Sequence, residues 1–344
     1  GPRIAIRADM DALPVKEQTG LPFASDVTTE YLGQEVGVMH ASGHDAHMAM
    51  LLGTAEVLTA VKEDLPGSVL FIFQPAEEGA PEGEEGGAEL MLKEGLFDKY
   101  DPEVVFGMHV GLNMPSGRIA VRSGPAMAAV DHLTINVEGV QTHGARPWGG
   151  IDPIVVGSQI VLGLQTIASR QLDLTNQPYI ITIGKFDAGV RNNIIPASAK
   201  MLGTIRSFDK DMQDDIHRRI ERTATGIAES AGAEAEVKIR RQYPATVNDP
   251  ELTSAMMPTL ERVTGEQQVI EPDLVTGAED FAFFAQEVPG LYVFLSAAGP
   301  GEDASELPSN HSPLFDVHES NMQTGVRAWS HLAVDYLTDH AADP

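Results

Sequence analysis

The sequence contains no cysteine among its 344 residues. Disulfide bonds are therefore excluded, and so is any metal site built on thiolate ligands. Long apolar runs are also lacking, since no stretch of the sequence approaches the roughly 20 residues that a membrane-spanning helix needs. No secretory signal peptide is visible. We therefore expect a cytoplasmic protein that has no membrane partner.

Basic residues are scarce, with 23 lysines and arginines against 50 aspartates and glutamates and a net charge of −27. Such a surface repels a polyanion, which argues against nucleic acid as a partner. The acidic residues are spread along the chain rather than gathered in a tail, so they do not indicate a disordered acidic segment. Two explanations stay open: adaptation to high salt, which screens the repulsion, or a merely acidic cytosolic enzyme.

The first third of the chain alternates short apolar strands with amphipathic helices. Strands are predicted at residues 4–8, 68–73 and 104–110, and helices at residues 46–62 and 88–93. This alternation predicts an α/β fold with a buried, mainly parallel sheet. Ligands in such folds gather where strands end and loops begin, and the polar clusters of this sequence lie at those places.

The middle of the chain has a different pattern. Between residues 131 and 241 the predicted order is βαββαβ, which is typical of a ferredoxin-like α+β domain. Its open sheet edge could pair with a second copy, so we expect a homodimer. The α/β pattern resumes after residue 244. We therefore predict one catalytic domain, residues 1–122 and 242–344, split by an inserted lid or dimerisation domain, residues 123–241.

The densest polar cluster is residues 39–47, which contain His40, His44 and His47 beside Asp45 and directly precede a predicted helix. A lone histidine is usually structural or merely exposed. Three histidines with an aspartate at a loop–helix junction favour a metal site.

Two adjacent carboxylates, Glu77 and Glu78, follow the predicted strand 68–73. A Glu-Glu pair is usually a solvated charge pair. This pair, however, follows an apolar strand whose carboxyl end should open onto the site crevice. In that position one carboxylate can bind a metal while its neighbour acts as general base on a water molecule.

Further histidines and carboxylates lie at the ends of other elements. His109 ends an apolar strand and by itself would be interpreted as a core histidine, whereas His311 lies in a loop. Together with the glutamates they offer ligands suited to Zn²⁺, Mn²⁺, Co²⁺ or Ni²⁺. Asp9 and Asp11, after the first strand, could orient such ligands from behind.

Three polar residues of the inserted domain could contact a substrate: His143 in a glycine-flanked loop, Asn193 and Arg206. Arg206 could clamp a carboxylate with two hydrogen bonds, or form a structural ion pair. The motifs of competing functions are absent, namely the Gly-x-Ser-x-Gly elbow, the Walker loop and the His-Glu-x-x-His helix. A serine-hydrolase function for Ser42 would leave the paired glutamates and the other histidines unexplained.

Eight motifs occur in order along nearly the whole chain: RADMDALP (7–14), MHASGHDAH (39–47), QPAEEG (74–79), GMHV (107–110), HGARP (143–147), NIIP (193–196), AEDF (278–281) and HSP (311–313). In these motifs the chain resembles the metal-dependent aminoacylase/carboxypeptidase amidohydrolases, the group with hippurate hydrolase, indole-acetyl-amino-acid hydrolases and N-acetyl-diaminopimelate deacetylase. Relatives have several dozen residues before the first motif, so we expect the chain to be N-terminally short.

The resemblance implies hydrolysis of the amide bond of N-acyl amino acids at a centre of two divalent metal ions. It implies that Glu77 is the general base and that His143, from the same subunit or from a partner subunit, stabilises the oxyanion. The other implied roles are metal binding by Ser42, His44, Glu78, His109 and His311, substrate binding by Asn193 and Arg206, and support by Asp9, Asp11, Asp45 and Glu279.

Ser42 departs from the family pattern, because relatives usually carry cysteine there as a metal ligand. A serine hydroxyl is a poorer ligand, since its deprotonation near neutral pH is costly. The serine could be a deliberate substitution that traps an inactive state, a natural change with water or Asp45 filling the gap, or the mark of a weak homologue. The alternative function is therefore a weakly active or non-catalytic, metal-poor protein that binds amino-acid conjugates.

Overall fold

The computed structural model describes residues 1–81, 83–111, 113–265 and 268–341. The chain divides into two compact units. The first comprises Gly1–Ala126, Val247–Asp273 and Asp280–Pro344, and the second comprises Met127–Thr246 and Leu274–Glu279. The role of the second unit as a lid or dimerisation domain stays a prediction.

A six-stranded sheet forms the centre of the first unit, in the order β15-β6-β16-β5-β1-β4. Strand β1 is parallel to both β4 and β5, β16 is parallel to β5, and only the β16–β6 pair is antiparallel. The mainly parallel sheet predicted from the sequence is therefore confirmed. Its strands are β1 (Arg3–Asp9), β4 (Ser68–Gln74), β5 (Val104–Val110), β6 (Ile119–Ala120), β15 (Val269–Ile270) and β16 (Gly290–Leu295).

The central strands are buried along almost their whole length, which explains their continuous apolar sequences. Their helices form two packed groups. One group contains α1 (His44–Ala60), α6 (Pro250–Thr264) and α8 (Ser320–Asp339), and the other contains α2 (Gly87–Lys93), α3 (Leu96–Tyr100) and α7 (Phe281–Glu287). The first group encloses Trp329, which is fully buried.

The register of the sheet determines where the polar clusters lie. Asp9, the last residue of β1, is opposite Gln74, the last residue of β4. On the other side of β1, Arg7 is opposite Gly107 in β5. Because these three strands are parallel, the loops that follow their carboxyl ends meet at one edge of the sheet. This edge carries Asp11, Glu77 and His109.

The second unit has the topology that its sequence predicts. Its antiparallel sheet has the order β10-β12-β8-β13, so its four strands in chain order are arranged 2-3-1-4, as in a ferredoxin-like fold. Helices α4 (Pro153–Thr166) and α5 (Lys210–Ser230) connect them, with Asp152 and Asp209 as N-caps. The strands are β8 (Ala129–Glu138), β10 (Ile180–Ala188), β12 (Ser198–Ser207) and β13 (Glu234–Tyr243).

Several short elements complete the two units. A hairpin joins β2 (Thr28–Tyr31) to β3 (Gln34–Gly37), and β9 (Thr142–His143) pairs with β11 (Ile194–Ile195). Strands β7 (Gly124–Met127) and β14 (Thr246–Asn248) lie where the chain passes between the units. Within the described ranges, no helix is long and apolar enough to cross a membrane.

Candidate metal centre

The first turn of α1 places two histidines inside the first unit. His44 and His47 are both fully buried. Gly43, just before the helix, has a φ of 86°, and a Cβ there would lie 2.3 Å from Cγ2 of Val110. Only glycine fits this position, because it tolerates the left-handed backbone and leaves room for Val110. The glycine thus lets the helix start close against the end of β5.

The ring of His44 has one satisfied and one unsatisfied nitrogen. Nδ1 lies 3.0 Å from the backbone oxygen of Asp11, whereas Nε2 is buried and has no hydrogen-bond partner among the described residues. Nε2 is 3.7 Å from Oδ2 of Asp9 and 3.9 Å from Oε2 of Glu77. Burial lowers the pKa of His44, but the hydrogen bond to the carboxylate of Asp11, whose Oδ1 is 3.3 Å from Nδ1, and the charges of Asp9 and Asp11 outweigh it and raise the pKa to about 9. These surroundings favour a positive charge at Nε2, which a divalent cation could supply in place of a proton.

The carboxylate of Asp11 holds the turn that carries the two glutamates. Its oxygens accept hydrogen bonds from the backbone N–H groups of Glu77 and Glu78, each 3.0 Å long. Burial would raise the pKa of Asp11, but the hydrogen bonds from His44 and from these two N–H groups keep it below its ordinary value. Ala76 turns the chain with a φ of 58°. As a result, potential ligand atoms of His44, Glu77 and Glu78 lie within 4.8 Å of one another.

Two further predicted ligands adjoin this group. The ring centroid of His109 is 5.9 Å from that of His44, and its Nδ1 donates to the backbone oxygen of Val110 at 2.7 Å. Burial and neighbouring His47 lower the pKa of His109 to about 3, which keeps the ring in the neutral form that binds metals. Nε2 of His311 lies 3.0 Å from Oε1 of Glu78. Both side chains therefore adjoin this group, and their role as metal ligands stays a prediction.

His47 is a part of this site, although its motif alone indicates no particular role for it. Its Nδ1 is 2.5 Å from Oδ1 of Asp9, and its Nε2 accepts a hydrogen bond of 2.8 Å from the backbone N–H of Val110. Both ring nitrogens are therefore occupied, and His47 supports the site instead of offering a ligand atom. Burial would raise the pKa of Asp9, but the charges of His47 and Arg7 outweigh it and hold the pKa well below its ordinary range.

Behind Asp9 lies a buried network that the motifs alone do not indicate. Arg7 donates to Asp9 at 2.8 Å and to Asp280 at 2.9 Å, and Gln74 donates to both carboxylate oxygens of Asp280. A buried arginine between two carboxylates compensates their charges. The predicted supporting residue Glu279 is buried next to Asp280 in sequence but belongs to the second unit, and its role stays a prediction.

Ser42 and Asp45 differ in their surroundings. Ser42 is buried, and its backbone oxygen accepts a hydrogen bond from Asn310. Asp45 is exposed, and its Oδ1 accepts from the backbone N–H of Ala46. It lines a cavity of about 660 Å³ to which His44, Glu77 and Glu78 do not contribute. This placement gives no support to Asp45 as a replacement for a ligand at Ser42.

The second unit brings two of its three predicted residues together. His143 in β9 is opposite Ile194 in β11, and the N–H of Gly144 donates to the backbone oxygen of Asn193 at 2.9 Å. The end of β9 and the turn before β11 therefore adjoin, and both His143 and Asn193 are exposed. Arg206 lies in β12 and is partly buried, without an ion pair among the described residues.

The residues of the first unit fit divalent metal ions. Imidazole and carboxylate groups are ligands that zinc, manganese, cobalt and nickel accept. The Nε2 atom of His44 is buried and has no hydrogen-bond partner among the described residues, so it is available to bind such an ion.

Comparisons with known proteins show which family the chain belongs to. Residues 5–335 match the peptidase family M20/M25/M40. Over 98% of its length the chain is 42% identical to thermostable carboxypeptidase 1 of Saccharolobus solfataricus and 38% identical to N-acetylcysteine deacetylase of Bacillus subtilis, covering 81% and 82% of those proteins.

A solved structure from Bacillus subtilis, described as a dinuclear metal-binding peptidase of the M20 family, is also similar. It has 36% sequence identity and a TM-score of 0.79, and the match covers 98% of this chain and 82% of that one. These similarities confirm the family resemblance and the fold class inferred from the motifs. The chain belongs to the peptidase family M20/M25/M40 and is an amide-hydrolysing enzyme of that family.

Proposed function

We propose that the protein hydrolyses the amide bond of N-acyl amino acids at a centre of two divalent metal ions. The observation that carries this proposal is the Nε2 atom of His44, which is buried without a hydrogen-bond partner in the described structure and belongs to a group of close potential ligands with Glu77 and Glu78. The residues that would hold the ions are Ser42, His44, Glu78, His109 and His311.

The two adjacent glutamates are suited to different roles. Glu78 is paired with His311, which favours a ligand position for its carboxylate. Glu77 is 6% exposed, and its backbone N–H is fixed by Asp11. We assign Glu77 as the general base, which takes a proton from the attacking water and delivers it to the leaving amine. When bound, the metal ions act as Lewis acids that polarise the substrate carbonyl and acidify water.

The second unit contributes the proposed substrate contacts. Nδ1 of His143 accepts the N–H of Ala145 at 3.0 Å, so the ring hydrogen is on Nε2 and is available to stabilise an oxyanion. The amide of Asn193 lies in the adjacent turn. Arg206 has no carboxylate partner in the described part of the chain, so it can bind the carboxylate of an amino-acid substrate. The relatives named carboxypeptidase and N-acetylcysteine deacetylase support this substrate class.

Ser42 favours a second candidate function, a weakly active or non-catalytic homologue that binds amino-acid conjugates with little metal. A serine hydroxyl binds divalent metals less well than the thiolate that the family resemblance implies at that position. The remaining ligands and the general base are all retained, and for this reason we favour the enzyme.

We also propose a cytoplasmic homodimer that forms through the second unit. Strand β10 is an edge of its sheet, and apolar side chains of β10 and α4 are exposed, namely Val155, Leu162, Ile180 and Phe186. Sedimentation should therefore give twice the chain mass of 36.9 kDa, whereas a monomer at micromolar concentration would contradict the dimer. Cell fractionation would test the location.

Metal analysis combined with a substrate panel tests the main proposal. The protein, loaded in turn with zinc, manganese, cobalt and nickel, is assayed on N-acetyl and N-benzoyl amino acids before and after chelation. We expect about two ions per chain and turnover that chelation abolishes. Turnover that survives complete metal removal would contradict the proposal. Little metal and no turnover, both restored in Ser42→Cys, would favour the second candidate function.

A further inference from the structure

Asn310 lies where three ligand-bearing segments of the first unit meet. Its Nδ2 donates to the backbone oxygen of Ser42 and to that of Val110, each at 3.2 Å. The first oxygen belongs to the loop that precedes His44, and the second follows His109 at the end of β5. Asn310 itself precedes His311. One amide group therefore connects the three segments that carry these ligands.

A second hydrogen bond ties the loop of Asn310 to the same place. The backbone N–H of His311 donates to the oxygen of Ala41 at 2.7 Å, and His311 has a φ of 71°. This left-handed conformation is unfavourable for a residue with a side chain. The surrounding contacts, including the two hydrogen bonds of Asn310, therefore hold the loop in a conformation that it would not adopt by itself.

The carbonyl oxygen of Val110 links Asn310 to His109. It accepts both the Nδ2–H of Asn310 and the Nδ1–H of His109. The N–H of the same residue donates to His47. Because the ring of His109 is oriented by this carbonyl, a shift of the carbonyl changes the direction of the opposite ring nitrogen, Nε2.

The Asn310 side chain is closely packed, so a replacement has little room to move and form other hydrogen bonds. A Cβ on Gly111 would lie 2.6 Å from Oδ1 of Asn310, so the backbone passes directly against the side chain. Both N–H groups of the amide nitrogen are needed, one for each carbonyl. An aspartate has the same shape but no donor when ionised. The oxygen that replaces Nδ2 would face the carbonyl oxygens of both Ser42 and Val110 and be repelled by them.

We infer that Asn310 is a positioning residue of the metal centre, which sets the spacing of the Ser42 loop and the orientation of His109. The inference rests on the metal centre of the proposed function. Asn310 acts through backbone carbonyls and is not itself a ligand. A residue that only stabilised the fold would change the unfolding midpoint but not the coordination of a bound ion.

Cobalt binding to Asn310→Asp tests this role, because the visible absorption of Co²⁺ reports on its coordination. Asn113→Asp is the matched control, since it introduces the same charge at an exposed asparagine nearby. We expect Co²⁺ affinity, measured by competition with a chelator, to fall about 10–100-fold in Asn310→Asp. The absorption bands should change, and kcat should fall more than KM rises. The control should match the unmodified protein.

The outcomes separate this inference from the proposed function. If the unmodified protein binds Co²⁺, and Asn310→Asp shows the same affinity and spectrum, the inference is wrong while the metal centre stands. If the unmodified protein binds no Co²⁺, both are wrong. Should Asn310→Asp fail to fold, Asn310→Ala removes the same two hydrogen bonds without adding charge, and the same comparison decides.

Discussion

Replacing Asp11 by asparagine should weaken the hydrogen bonds that hold the backbone of Glu77 and Glu78 while leaving the two glutamate side chains unchanged. The Asp11 carboxylate accepts one backbone hydrogen bond from Glu77 and one from Glu78. An asparagine has nearly the same shape but only one oxygen. One of the two N–H groups would keep a neutral acceptor, and the other would face the NH₂ group of the new side chain.

The expected loss of stability follows from these two bonds, because the third partner of the carboxylate, Nδ1 of His44 at 3.3 Å from Oδ1, keeps an oxygen acceptor if the asparagine oxygen takes the place of Oδ1. A hydrogen bond to a charged group contributes about 1.5–3 kcal/mol and a neutral one about 0.5–1.5 kcal/mol. One bond is lost and the other is weakened, while water can reach the partly buried turn and replace some of the loss. We therefore expect Asp11→Asn to lower the free energy of unfolding by about 2 kcal/mol. A misplacement of Glu77 by about 1 Å would also reduce kcat by roughly 100-fold.

Urea unfolding of the metal-free protein measures the stability change, and turnover of an N-acyl amino acid measures the catalytic one. Asp26→Asn is the control, because it removes the same charge from an exposed aspartate. The pKa of Asp11 is below its ordinary 3.8 in the folded protein, so its contribution is present above pH 3.8 and is lost as the pH falls through the lower folded value. The reasoning is refuted if Asp11→Asn unfolds and turns over like the control at pH 7.

Two further predictions concern the backbone and the surface charge. Gly43→Ala should lower the free energy of unfolding by about 2–4 kcal/mol, because the left-handed φ is unfavourable for alanine and the new Cβ would clash with Val110. Gly33→Ala is the control: Gly33 also has a positive φ but open space around it, so its replacement should cost only about 1 kcal/mol. Equal losses of stability in urea unfolding would contradict the clash. If the net charge of −27 reflects salt adaptation, the melting temperature should rise steeply with KCl up to molar concentrations, as repulsion is screened; a flat response would favour a merely acidic enzyme.

The regular elements could be predicted because their patterns are strong. The apolar run 104–110 has the predicted bounds in the structure, and the helix predicted at residues 46–62 is found at His44–Ala60. The hairpin of β2 and β3 was missed, because β2 is fully exposed and β3 only partly covered, so neither shows the alternation of buried and exposed residues that marks a strand. Its turn at Leu32 and Gly33, both with positive φ, is the remaining local signal.

The supporting residues of the site were harder to find than its ligands. His44 and Glu78 stand in clusters whose composition indicates metal chemistry. Asp280 stands 273 positions from its partner Arg7, and Asn310 stands 268 positions from Ser42. Such pairings depend on the register of the sheet and on loop packing, neither of which is visible in a single sequence. The sequence offered one indication of their importance: Asp280 lies within the motif 278–281, and Asn310 directly precedes the motif 311–313.

The most direct measurement of the central claim is the turnover number of Glu77→Gln with its metal content determined on the same sample. Glutamine keeps the size of the side chain but cannot take a proton from water. We predict that the variant binds as much metal as the unmodified protein, that kcat falls by at least about 100-fold, and that Glu84→Gln, a control at an exposed glutamate, is unaffected. Undiminished kcat in metal-loaded Glu77→Gln would contradict the account.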